Sequence, residues 1–158
     1  MSKLGKIFLF AVLLSNMAFS QNAGFGSLAS DRTEPIEFTS DRLIFNQGEN
    51  LAELFDEVKI IQGKTVLSAD YVKAIYSKTN KLEKVFAERN IELKSEKDIA
   101  RADTAVYSLT ENSISLIGNA RLIQGANNIM ADQILINTET GLTQLLGSVK
   151  TVIAPSTN

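Results

Sequence analysis

One feature limits this chain more than any other: residues 36–154 repeat themselves four times with almost constant spacing. A small residue followed by Asp occurs at Ser40-Asp41, Ala69-Asp70, Ala102-Asp103 and Ala131-Asp132, with spacings of 29, 33 and 29 residues. Each pair leads into an apolar alternating stretch: Leu43 to Phe45, Val72 to Tyr76, Ala105 to Tyr107, and Ile134 to Ile136. A second series of stretches is centred on Val58, Ile91, Ala120 and Val149, spaced 33, 29 and 29, so the two series stay in phase. A fixed period between 20 and 50 residues is the signature of a repeat architecture, in which each unit buries its apolar face against its neighbours.

The periodicity inside each unit is that of strand. Ile114, Leu116, Gly118, Ala120 and Leu122 alternate with Ser115, Asn119 and Arg121; Leu54, Val58 and Ile60 alternate with Phe55, Glu57 and Lys59; Ile91 and Leu93 alternate with Glu92 and Lys94. Turn chemistry falls at Asn46-Gln47-Gly48, Gln62-Gly63, residues 78–81, Gln124-Gly125 and residues 138–141. The only prolines, Pro35 and Pro155, bracket 119 residues without one, which permits long unbroken ladders because no donor is missing. Leu51 to Phe55 contains good helix formers, but five residues are too few for a helix, and the stretch reads as strand. The expected fold is all-β: about a dozen antiparallel strands, each with one apolar face, closing into a rolled or V-shaped sandwich with a lengthwise interior. The inner residues are medium aliphatics, which can fill such an interior or leave a slot in it.

The N-terminus carries Lys3 and Lys6, then an uncharged run over residues 7–19, then Ala18-Phe19-Ser20, which is the layout of a secretory signal with cleavage expected after Ser20. A retained anchor is the alternative. Thirteen helical residues rise only about 20 Å against roughly 30 Å of hydrocarbon, and Asn16 adds a polar group. No Cys follows the segment, which excludes lipoprotein processing. Residues 21–34 are rich in Gly, Ser and Asn and read as a flexible lead-in, residues 35–154 as the domain, and 155–158 as a tail.

Loss of residues 1–20 would remove two of 16 basic residues and no acidic one, leaving 14 against 18. That balance argues against nucleic-acid binding, which needs a basic face. With no Cys, no His and no Trp, the chain has no disulfide, no imidazole base, no Ser–His or Cys–His nucleophile and no thiolate or imidazole metal site. The acids lie in turns or alternate with apolar residues as on a solvated strand face, so neither catalysis nor a cofactor is expected. The recurrent Asp residues read as acceptors of backbone donors at a turn before each strand, with ligands for a cation as the alternative, which no Asp-x-Asp or Ca²⁺-loop spacing supports. Tyr76 and Tyr107 read as cross-strand packing, with contact to a sugar or acyl chain as the alternative. Lys59, Arg121 and Lys150, which recur at one repeat position, read as a solvated face, with lipid phosphates as the alternative.

These residues resemble a known family. Asp103 with Tyr107 four positions on, then Gly118-Asn119 and Gln124-Gly125, are similar to the repeat of the OstA-like periplasmic lipopolysaccharide-transport proteins. Val58 to Gly63, Pro35 to Asp41 and Gly147 to Ile153 fit the same pattern, so the resemblance covers residues 35–154. One unit departs from it: Asp70 is followed by Tyr at the sixth position, and Glu88-Arg89-Asn90 lacks Gly, which suggests a two-residue bulge near residues 73–75.

The resemblance implies a β-jelly roll whose groove shields lipid A acyl chains, as one link of a bridge between membranes. It implies lipopolysaccharide as ligand. It also implies an inner-membrane LptC-like partner at the N-terminal edge, an outer-membrane LptD-like partner at the C-terminal edge, and head-to-tail self-association. The residues expected to line the groove are Leu54, Val58, Ile60, Ile91, Leu93, Leu116, Ala120, Leu122, Ile134, Ile136 and Val149. Ile36, Phe38, Val149, Thr151 and Ile153 are the expected partner edges. The alternatives are an LptC-like tethered component of the same pathway and a structural β-repeat protein without a ligand.

Overall fold

The computed structural model of the chain describes residues 25–155. The expected signal segment, residues 1–20, lies outside the described residues, as do 21–24 and 156–158.

Ten strands follow a short helix: α1 (Ser27–Asp31), β1 (Ile36–Thr39), β2 (Arg42–Asn46), β3 (Leu51–Gln62), β4 (Thr65–Tyr76), β5 (Leu82–Ser95), β6 (Asp98–Ser108), β7 (Ser113–Gln124), β8 (Asn127–Asn137), β9 (Thr143–Leu146) and β10 (Lys150–Val152). They form one antiparallel sheet in the order β1-β3-β4-β5-β6-β7-β8-β10, with β2 also on β3 and β9 also on β8. From β3 to β8 each strand therefore pairs with the next in sequence, as short turns between in-phase repeats require, while β1 with β2 and β9 with β10 lie end to end along the two outer strands. The segment Leu51 to Phe55 is strand, as its length argued. The count is ten against about a dozen expected, because β3 to β8 run unbroken while only the two outermost strands are interrupted.

What bends this sheet is a line of bulges that crosses it. Register shifts lie between Phe55 and Val58, Glu88 and Ile91, and Ile117 and Ala120. The skipped residues are Asp56-Glu57, Arg89-Asn90 and Gly118-Asn119, all with positive φ, and Gly147-Ser148 has the same conformation. Opposite each pair stands one of the recurrent Asp residues. Asn90 Nδ2 donates to Asp70 Oδ2 at 2.7 Å, and Asn119 Nδ2 donates to Asp103 Oδ2 at 2.8 Å. The amide of Asp41 donates to Asp56 O, and that of Asp132 to Gly147 O. Two residues facing one increase the local twist and turn the strand through a corner.

The Asp residues are thus structural, but Asp70, Asp103 and Asp132 sit in the middle of long strands, facing a bulge, and only Asp41 lies in a break ahead of a strand, β2. Glu88-Arg89-Asn90 is likewise a bulge inside β5 rather than a turn. Within residues 73–75 there is no bulge: Lys73, Ala74 and Ile75 pair regularly with Phe86, Val85 and Lys84, and the register shifts just beyond them, between Ile75 and Tyr76, by one extra residue, Glu83, on the facing strand β5.

The bulge line divides the sheet into two arms joined at a spine. Arm one holds β1, β10, and the parts of β3 to β8 near the turns at 63–64, 96–97 and 125–126. Arm two holds β2, β9 and the opposite halves of β3 to β8. Alternation places one face of each arm inside. Val58, Ile60, Leu67, Leu93 and Leu122 of arm one join Leu54, Val72, Val85, Leu116 and Ile134 of arm two in a single apolar cluster. Tyr107 of arm two donates its hydroxyl to Gln62 Oε1 of arm one at 3.1 Å, so the arms face each other. The result is a V whose closed side is the spine and whose open side is a seam between two rims of turns.

That seam is where the structure departs most from the expected lead-in. From Phe25 onward the segment is folded: Phe25 and Leu28 are fully or almost fully buried in the core cluster. Each such side chain taken out of water stabilises the fold by roughly 1.5–3 kcal/mol, which an ordered segment needs to offset its entropy.

Candidate functional site

The interior between the arms is the one place where residues from every repeat converge. Ten of the eleven residues expected to line a groove lie there: Leu54, Val58, Ile60, Ile91, Leu93, Leu116, Ala120, Leu122, Ile134 and Ile136 are all buried. The period-2 pattern puts them inside because each occupies the inward phase on its strand, and the bulge keeps that phase from one arm to the next. In β7, Ile114 and Leu116 are inward before the bulge, and Ala120 and Leu122 after it. Val149 is the exception. It lies in the break between β9 and β10 and is 53% exposed, so it lines no interior. The break removes the ladder that would have held it inward.

The interior is apolar and closed. A cavity of about 20 Å³ remains between Leu28, Ile60, Leu67 and Leu93 on one side and Tyr107 and Ile114 on the other, about one water's worth of space. The medium aliphatics therefore pack as a core in this conformation. Burial pushes the Tyr107 hydroxyl above the usual phenol range, and its bond to Gln62 provides the partner a buried hydroxyl needs. Tyr76 instead packs edge-on against Phe45, with ring centroids 6.4 Å apart. Among the described residues no group of three or more His, Cys, Asp or Glu is placed to hold a metal ion, and no helix is long and apolar enough to cross a membrane.

The outward phase is polar where the repeat position of Lys59, Arg121 and Lys150 falls; all three are exposed. Across the sheet that row continues through Glu92 and Arg101, whose guanidinium donates twice to Glu92 Oε2, at 2.9 and 2.8 Å. Arg121 and Arg101 are direct cross-strand partners, so this row of the outer face carries more positive than negative charge.

The two ends of the sheet differ from its middle. Of nine exposed large apolar side chains among the described residues, seven lie on the edges: Leu43, Ile44 and Phe45 at the N-terminal end, and Leu146, Val149, Val152 and Ile153 at the C-terminal end. Ile36 and Phe38 lie on β1, facing Gln62 and Ile60, and Thr151 faces Ile129 of β8. Among the described residues, the outer flank of β1 and β2 and that of β10 and β9 carry no strand partner. The core order has eight strands with alternating direction. A second copy shifted along the stack would therefore set its β1 antiparallel to β10, continuing the pattern unchanged.

Two sets of residues were not visible as site elements in the sequence. Phe25 and Leu28 stood in a stretch whose Gly and Ser content masked them, and only their three-residue spacing hinted at a helix face. The Asp–bulge pairs were visible as a repeat but not as a corner.

Residues 37–142 match the family described as LptA/(LptD N-terminal domain) LPS transport protein. The chain is similar to the lipopolysaccharide export system protein LptH of Pseudomonas aeruginosa, 28% identical over 135 residues that cover 78% of this chain and 77% of the relative. It is also similar to an uncharacterized protein of Rhizobium meliloti, 25% identical over 146 residues, covering 85% and 78%. In three dimensions it resembles the crystal structure of LptH, the LptA homologous periplasmic component of the conserved lipopolysaccharide transport device from Pseudomonas aeruginosa. The TM-score is 0.70 at 22% identity, over 80% of this chain and 99% of that one.

Proposed function

The chain belongs to the LptA/(LptD N-terminal domain) family of LPS transport proteins, and from that premise we propose that it is a periplasmic carrier that encloses lipid A acyl chains between its two arms. The observation that carries this reading is the single apolar interior that runs through β3 to β8 and is joined at its two ends by Ile36 and Phe38 of β1 and Leu145 of β9. An acyl chain of about twelve methylenes costs on the order of 10 kcal/mol to expose to water. Crossing an aqueous compartment therefore calls for continuous apolar surface, and a lengthwise interior supplies it where a single pocket would not.

The unpaired edges extend the same interior. Antiparallel addition of a second copy, or of a partner domain with the same repeat, joins the two interiors end to end. The N-terminal edge, Ile36, Phe38 and β2, receives the inner-membrane LptC-like component. The C-terminal edge, Thr151, Ile153 and Val149, receives the outer-membrane LptD-like one. Export removes residues 1–20, so N-terminal sequencing of the chain recovered from periplasm reads Gln21 first. The protein acts as a carrier and not as a catalyst.

The test is a photo-reactive amino acid placed at Leu116, Leu122 or Ile134, all inward, and at Ser115 or Arg121, outward. With purified lipopolysaccharide and ultraviolet light, adducts form at the inward positions and not at the outward ones. Equal labelling of both sets, or none at any inward site while LptH run alongside is labelled, would sink the proposal.

A further inference from the structure

We infer that acyl chains enter the interior sideways, through the seam between the arms, by displacing residues 25–34, whose Phe25 and Leu28 occupy the place of an alkyl chain. This rests on the carrier reading above and adds the way in.

Phe25 and Leu28 are buried in the same apolar cluster as Leu93, Leu116 and Ile134, and Leu28 lines the residual cavity together with residues of both arms. The polar contacts of the segment are with the rims. On arm one, the Phe25 amide donates to Asp98 Oδ2 at 2.9 Å, the Ser27 and Ser95 hydroxyls share a hydrogen bond, and Asp31 Oδ2 accepts from Thr65 Oγ1 at 2.7 Å and the Lys64 amide at 3.1 Å. Gln62 Nε2 donates to the carbonyls of Arg32 and Glu34, both at 3.0 Å, while its Oε1 takes the Tyr107 hydroxyl from the other arm. On arm two, Arg32 pairs with Glu139 at 3.7 Å, and Gly141 leaves room for Gly26: a Cβ at 141 would stand 2.9 Å from the Gly26 Cα. The segment therefore straps one rim to the other.

The strap is weak on its own. Its helix is five residues long, with no side-chain cap, no acid in the first turn and no base in the last. A helix that short does not persist in water without docking, so α1 exists because of the contacts just described. Releasing it breaks no strand pairing, whereas opening the V at the spine would break the ladders of β3 to β8. Because the arms are packed together with room for about one water, a chain of methylenes gains space only where the arms part, and the seam is the side on which they part most readily.

The chain has no cysteine, so Ser27→Cys with Ser95→Cys gives a tether that oxidation closes and reduction opens. Binding of fluorescently labelled lipopolysaccharide to the full chain is measured in both states, beside wild type and the untethered double variant Phe25→Ala, Leu28→Ala. If the strap must leave, the oxidised form binds at least about ten-fold more weakly than the same chain reduced, because the competent state is removed. The alanine variant binds several-fold more tightly than wild type, since less apolar burial opposes opening. The reduced tethered chain carries the same substitutions and serves as the folding control. Equal affinity in the oxidised and reduced states overturns the inference and leaves the carrier reading standing, with the ends of the roll as the way in. No binding by any form, wild type included, overturns both.

Discussion

The two long sides of the V are built on opposite principles. At the spine, the backbone turns a corner while every ladder continues, and each corner is held by an Asp facing a positive-φ pair. At the seam, the rims meet through side chains and one short helix, with no shared ladder. A corner made of continuous strands can flex but not separate, while a side closed by a strap can separate without unfolding the rest. The difference assigns the spine to hinge and the seam to opening, which is what a carrier of long apolar chains needs.

The comparison breaks most easily at the spine. A side chain at Gly118 would need φ near +81° and would place its Cβ 2.6 Å from Asp103 Oδ2. Gly118→Val is therefore expected to destabilise the whole sheet by roughly 2–4 kcal/mol, seen as a lower urea midpoint with both arms melting together. If the arms melted separately, the spine would not be the element that unites them.

At the seam the expected effect is smaller and local. Phe25→Ala with Leu28→Ala removes two buried side chains, but α1 can undock while the sheet persists. The loss is therefore capped at the docking free energy, on the order of 1–2 kcal/mol. Hydrogen exchange should show amide protection lost over residues 25–34 and retained in β3 to β8. A global loss as large as that of Gly118→Val would erase the distinction between the two sides.

The smallest effect concerns two tyrosines, one on each side of this contrast. Tyr71, beside the spine, is pushed up to about 12 from 10.0, first by burial and then by the hydrogen bond it donates to Glu53. Tyr107, in the seam, is raised chiefly by burial. A raised tyrosine stabilises the fold fully below its unfolded value near 10, and that stability is lost as pH rises toward the folded value. Denaturation midpoints should fall between pH 10 and 12, and Tyr71→Phe should flatten part of that fall. Because Tyr71 is only partly buried, its share is modest.

Much of this architecture is legible in the residues themselves. The in-phase Asp series marks the strands, the Gly-containing turns mark both rims, and the alternation of Ile114, Leu116, Ala120 and Leu122 marks the inward face. The corner is harder to read, because Arg89-Asn90 and Asp56-Glu57 adopt a conformation that local propensity does not favour and that neighbouring ladders impose. Val149 misleads for a related reason. Its repeat position is inward in complete strands, but the outermost strand is interrupted there and the ladder that sets the phase is absent. The strap is nearly invisible, since five residues of Ser, Leu, Ala and Asp become helix only against rims made by residues far along the chain, from Gln62 to Gly141.

The central claim, a V hinged at its spine that opens at its seam to take acyl chains, is tested most directly by distances between the rims. Spin labels at Lys97→Cys in the β5–β6 turn and Thr110→Cys in the β6–β7 turn report across the seam. Labels at Lys78→Cys and Thr110→Cys report along one rim. With purified lipopolysaccharide bound, pulsed dipolar spectroscopy should show the Lys97–Thr110 distance lengthen while the Lys78–Thr110 distance stays the same. Bound lipopolysaccharide with an unchanged Lys97–Thr110 distance would contradict the account.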